Sequence, residues 1–126
     1  EGFSNRSLTK YKLIIEDFGG WDLFQDLLRT LRTVADRHHA TIGQIAVRWV
    51  HTRPMVAAAI VGATSTRHLA ENRKIFDINL TDQDLAEIDA VRSRRQGPVG
   101  DCYDLERDKN GRHGSIMHYN LNDGRV

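Results

Sequence analysis

The sequence predicts an α/β protein that is mostly helical within this chain and carries one confident strand, at about residues 56–61. Three observations predict it. Residues 21–39 and 42–52 repeat apolar side chains at the helical period. Residues 56–61 are an unbroken apolar run of strand length, the pattern of a strand covered on both faces in a parallel sheet. Gly62 ends that run, and a second helical pattern opens directly after Thr64, Ser65 and Thr66, which gives the strand–turn–helix order of α/β proteins.

The first twenty residues give the weakest pattern. Asn5, Arg6 and Ser7 suggest a loop, Leu13, Ile14 and Ile15 a short apolar element, and Gly19 with Gly20 a break. Residues 21–39 then form the clearest helix, with Leu23, Phe24, Leu27, Leu28, Leu31, Val34 and Ala35 on one arc and Asp22, Gln25, Asp26, Arg29, Arg32 and Asp36 outside it. Arg37, His38 and His39 gather at its C-terminal end, where cations complement the helix dipole. Thr41 and Gln44 have the spacing of a capping box and open a helix over residues 42–52. Its apolar stripe is Ile42, Ile45, Ala46, Trp49 and Val50, it leaves Gln44, Arg48 and His51 outward, and Pro54 stops it.

After the strand, a helix is expected over residues 65–76, with Leu69 and Phe76 as its core stripe. Thr64, Arg67, His68, Glu71 and Asn72 share its polar side, a set able to hold a phosphorylated ribose and an adenine edge. Hydroxyls near its start would cap free N–H groups, and such an end attracts phosphate. Residues 77–80 read as an extended link. Thr81 with Asp84 is a second capping signal, opening a helix to about Ser93 with Leu85, Ile88 and Val91 on its inner side.

Residues 60–64, 69–72, 80–85 and 88–89, in this order and spacing, resemble the C-terminal end of the aldo-keto reductases. The resemblance implies that the fold is the C-terminal portion of a (β/α)8 TIM barrel, and that the segment after the last barrel strand binds the adenosine half of a nicotinamide cofactor. By position it assigns cofactor binding to Gly62, Ala63, Thr64, Arg67, His68, Glu71 and Asn72. Gly62, Ala63 and Thr64 would line the adenosine 2′-phosphate, His68 would take a place often held by Arg, and Glu71 and Asn72 would meet the adenine. Many members have Lys where this chain has Gly62, and Arg67 would supply the compensating charge. NADP(H) is expected in preference to NAD(H), with a small aldehyde, ketone or sugar as substrate of the intact protein.

A whole barrel takes about 250 residues, and this chain has 126. It corresponds to the last third of one: a fragment, a natural short product, or a piece of an assembly in which another chain completes the sheet. Residues 1–93 would be the barrel part and residues 94–126 a linker and tail. The family's proton-donating Tyr and its partner Lys, Asp and His come from earlier strands, and no segment here resembles those, so no catalytic residue is assigned and the chain alone is expected to be non-catalytic. C-terminal loops in the family close over the substrate, which makes Tyr103, His113 and Tyr119 candidates for substrate contact. Arg6 is a candidate phosphate contact on the loop after the seventh strand. The tail shows no sustained period beyond a short strand at residues 115–119.

Composition narrows the partners. The chain is 40% hydrophobic and 28% charged, and 18 Lys and Arg against 17 Asp and Glu leave a net charge of +1. No charge imbalance favours nucleic acid or an anionic membrane, and no apolar run has the length of a bilayer span. A cytoplasmic location and no nucleic-acid or membrane partner are expected. Cys102 is the single cysteine, so neither an internal disulfide nor a zinc knuckle is available. Its spacing from His113 and His118 is not that of a metal site, and no metal is expected. Two readings of other classes stand beside the reductase. One is a non-catalytic helical interaction protein whose strand pairs with another chain. The other is a helix-turn-helix DNA-binding module over residues 21–53, which would need polar side chains on its second helix.

Overall fold

The computed structural model describes residues 6–62, 66–100 and 102–116. The described helices are α1 (Arg6–Phe18), α2 (Gly20–Arg37), α3 (Ile42–His51), α4 (Arg67–Arg73), α5 (Asp82–Arg92) and α6 (Cys102–Arg107), with 3-10 turns at Lys74–Asp77 and Gly114–Ile116. Two compact units are formed, one from residues 1–24 with 95–126 and one from residues 25–94. Helix α2 starts in the first and continues in the second.

The second unit is built on the expected stripes. Leu31, Val34 and Ala35 of α2, Ile45 of α3, Ile88 of α5, and Ile78 between the 3-10 turn and α5 form one buried cluster, against which Leu27, Ala40, Ile42, Trp49 and Leu80 pack. The helix starts are sequence-encoded. Thr41 and Gln44 make the full capping box of α3, and Thr81 and Asp84 that of α5. Helix α2 ends in a Schellman motif, with Ala40 N–H donating to the Ala35 carbonyl at 2.9 Å and His39 N–H to that of Asp36 at 3.3 Å. His39 holds the left-handed position of that motif, φ 51°, which glycine takes most readily.

Asp84 joins these elements. Its side chain is 1% exposed and receives Arg37 Nη1 at 2.5 Å, His38 Nε2 at 2.8 Å and the Thr81 amide at 2.8 Å. One carboxylate therefore caps α5 and neutralises the cationic end of α2. Burial works against its ionisation, but the hydrogen bonds from His38 and Thr81 outweigh that and hold the carboxyl below its ordinary range.

In the first unit, ion pairs among the described residues join α1 to the tail. Asp17 of α1 accepts from Arg112 Nη1 at 3.1 Å and pairs with His113 Nε2 at 2.5 Å. Glu16 pairs with Arg112, and Lys10 with Glu106 at 2.5 Å. The Gln96 amide donates to the Phe18 carbonyl at 3.0 Å. At the junction of α1 and α2, Gly19 has φ 139°, and a Cβ there would meet Leu23 Cδ2 at 2.7 Å. The expected break at Gly19 and Gly20 is thus required by both backbone and packing.

Several expectations are corrected. The strand at about 56–61 does not form: residues 56–62 belong to no helix or strand, and among the described residues there is no strand. Ile60 is 103% and Val61 44% exposed, so the run is not covered on both faces. A ladder needs a neighbour, and the apolar pattern that marks a doubly covered strand cannot supply one. Arg6 and Ser7 of the expected loop and the short element at 13–15 are taken up by α1, and Asn5 lies outside the described residues. The helix expected over residues 65–76 begins at Arg67 and tightens to a 3-10 turn at Lys74. Thr66 has helical dihedrals and makes no side-chain cap, while Thr64 and Ser65 lie outside the described residues. Leu69 and Phe76 are not a core stripe, at 55% and 65% exposed; Ile75 is the buried residue of that turn. Gln44, expected outward, is buried. The tail contains α6 and a 3-10 turn, and that turn takes up Ser115 and Ile116 of the expected strand, whose remaining residues 117–119 lie outside the described residues.

Candidate functional site

The seven residues expected to bind cofactor fall on the segment around α4. Gly62 is exposed, and a Cβ there would meet nothing within 4 Å, so the chain leaves open space at that point. Ala63 and Thr64 lie outside the described residues. Arg67 and His68 are the first two residues of α4, described at the backbone only. Glu71 and Asn72 close its last turn, Glu71 exposed and Asn72 half-buried.

Asn72 faces a groove of about 230 Å³ together with Val47 and His51 of α3, Val61, Leu69 and Phe76. His51 and Phe76 meet edge to face, ring centroids 5.6 Å apart. The groove thus has aliphatic and aromatic walls, with Asn72 and Arg73 beside them in its lining. A planar heteroaromatic ring suits such a slot: its faces take the apolar walls and its edge the donor and acceptor of one amide. The structure brings together Val61, Leu69 and Asn72, which the sequence placed on strand, stripe and polar face separately.

The walls come from α3 as much as from α4, and periodicity assigned α3 only to the core. Val47 and His51 follow Gln44 at i+3 and i+7 on one side of the helix, away from the Ile45 stripe. Gln44 itself donates from Nε2 to the Glu71 carbonyl at 2.7 Å. The capping signal of Thr41 and Gln44 was visible in the sequence, but the second bond of that side chain was not.

The other candidates are dispersed. Tyr103 is 62% exposed under the Arg107 guanidinium, His113 is buried and paired with Asp17, and Tyr119 lies outside the described residues. Arg6 opens α1. Among the described residues no group of three or more His, Cys, Asp or Glu could hold a metal; Cys102 opens α6, and His118 lies outside the described residues. No helix among the described residues is long and apolar enough to cross a membrane. On the helix that a helix-turn-helix reading would lay in a groove of DNA, Gln44 is committed to Thr41 and Glu71 rather than to solvent.

Comparison with known proteins gives a consistent set of relatives. The sequence profile described as Aldo/keto reductase family matches residues 2–93. Aldose reductase B of Dictyostelium discoideum is 31% identical over 70 residues, covering 54% of this chain and 22% of that protein. A probable voltage-gated potassium channel subunit beta of Arabidopsis thaliana is 36% identical over 78 residues, 60% of this chain and 23% of that one. Aldo-keto reductase str7 of Strobilurus tenacellus is 26% identical over 92 residues, 73% of this chain and 25% of that one. The matched stretch is about a quarter of the length of these relatives. No solved structure gives a significant match.

Proposed function

The chain belongs to the aldo/keto reductase family, and on that premise we propose that it is the adenosine-binding end of a reductase transferring hydride between NAD(P)H and a small aldehyde, ketone or sugar. The observation that carries this reading is the groove beside α4, which sets the Asn72 amide among the apolar walls of Val61, Leu69 and Phe76. Those residues fit the adenosine half of such a cofactor. When bound, the nicotinamide supplies the hydride. The part of this chain is to bind and orient the other half of the molecule: the groove walls exclude water from the purine faces, and Asn72 pairs with the purine edge. Gly62, Ala63 and Thr64 fall in sequence where a ribose 2′-phosphate would lie, and Arg67 would supply the charge there, which favours NADP(H) over NAD(H). Binding energy gathered so far from the reacting carbon holds the cofactor in register for transfer.

No residue of this chain is assigned proton donation to the substrate. The chain alone is therefore expected to bind cofactor without turning over substrate. The test is isothermal titration of the chain with NADPH and NADH, alongside an absorbance assay of NADPH oxidation with small aldehydes, ketones and sugars. NADPH binding weakened by Asn72→Ala, with no turnover, is the expected result. Turnover by the chain alone would contradict this division of labour, and binding indifferent to Asn72→Ala would remove the site.

A second reading has one observation in its favour. Residues 56–61 are apolar and lie in no helix or strand, with Ile60 fully exposed, which leaves them open to a sheet from another chain in a non-catalytic interaction protein. It predicts a partner-dependent gain of strand signal without nucleotide.

A further inference from the structure

The Gln44 side chain sits at the third position of α3, is 9% exposed, and does two separate jobs. Its Oε1 accepts from the Thr41 amide at 2.9 Å, which is half of the capping box; the other half is the Gln44 amide donating to Thr41 Oγ1 at 3.2 Å. Its Nε2 donates to the Glu71 carbonyl at 2.7 Å, across 27 positions of sequence. That carbonyl belongs to the planar peptide unit joining Glu71 to Asn72, so holding its oxygen fixes the plane from which the Asn72 backbone departs. The bond also falls where α4 gives way to the 3-10 turn, and there the Glu71 carbonyl accepts from the Lys74 amide as well as from Gln44. One and two turns further along α3, Val47 and His51 line the groove that Asn72 faces. A single face of α3 therefore carries both the clamp and part of the wall.

We propose that Gln44 is a positioning residue for nucleotide binding, setting the Asn72 amide against the groove by holding the Glu71 carbonyl. This rests on the reading of α4 as the adenosine-binding element. The two jobs of Gln44 have different chemical requirements. A glutamate at the third helical position caps as well as a glutamine, because capping uses only an acceptor oxygen. Holding Glu71 needs a donor, which a carboxylate lacks.

The experiment separates them in the full chain. Gln44→Glu keeps both halves of the capping box and loses the donor, whereas Thr41→Ala loses the Oγ1 half and keeps the donor. The expected result is NADPH affinity about tenfold weaker in Gln44→Glu, the order of one hydrogen bond, with faster amide exchange over residues 71–76 and unchanged exchange in α3. Thr41→Ala is expected to melt earlier yet bind within twofold of the unaltered chain. If Gln44→Glu does not fold, Gln44→Met compared with Thr41→Ala isolates the donor, since each loses one half of the capping box and only the first lacks the clamp. Equal affinity in all variants, or equal weakening in Gln44→Glu and Thr41→Ala, overturns the positioning role. An unaltered chain that binds no NADPH, or binds it irrespective of Asn72→Ala, removes the adenosine reading and this role with it.

Discussion

Asp84 and His39 show how much of the second unit depends on single side chains at helix ends. Asp84 is buried beneath Arg37 and His38 and caps α5, so losing its charge leaves a guanidinium without its buried partner. Asp84→Asn retains an acceptor for the cap but not the charge, and is expected to cost about 3 kcal/mol at neutral pH, read by denaturant unfolding. Its carboxyl is held below the ordinary value of 3.8 in the folded chain. The stabilisation is therefore complete above that value and is lost as the pH falls through the depressed folded one. Melting temperature should drop steeply below about pH 4 in the unaltered chain and less steeply in Asp84→Asn. Glu87 and Asp26, also lowered, Glu87 by Gln83 and Arg37 and Asp26 by Arg29 and Arg94, keep part of the acid limb in both. His39 gives the opposite case. A non-glycine residue at φ 51° carries a left-handed cost that glycine does not, so His39→Gly should raise stability by about 1 kcal/mol, visible as a later unfolding midpoint.

Among the elements, those whose signals are local were legible in the sequence. Helix α3 and helix α5 announce themselves by capping boxes within four residues, and α2 by an apolar arc whose members Leu31, Val34 and Ala35 are buried as expected. Helix α1 was not legible because its apolar residues Leu8 and Tyr11 face outward, while Lys10 and Asp17 meet partners in the tail. A stripe of charges whose partners lie some 95 positions away has no signature in a local window. The same distance hid α6 and the pairing of His113. The run at residues 56–61 failed differently: its apolar composition predicted a doubly covered strand, and no strand forms there. Its amides are expected to exchange within seconds in this chain, and to become protected by orders of magnitude when a segment that pairs with them is supplied. Hydrogen exchange with and without the upstream barrel sequence of a family member measures that difference.

At the scale of the whole molecule, the chain corresponds to about a quarter of its family relatives, and its chemistry divides accordingly. Of the candidate site, Glu71 and Asn72 were legible as a polar pair on one helix. Their support by Gln44 and the groove walls from α3 were not, because α3 had been spent on the core. Ala63 and Thr64 were legible only through the resemblance to the family. The central claim is that the adenosine pocket is carried by α3, α4 and residues 59–62 before it. Titrating the isotopically labelled chain with 2′-phosphoadenosine, and following its amide resonances, tests that claim most directly. Shifts concentrated at residues 47–51, 59–62 and 67–76, saturating together, are expected. A folded chain whose resonances stay unmoved, or shift only around α1 and α6, would contradict it.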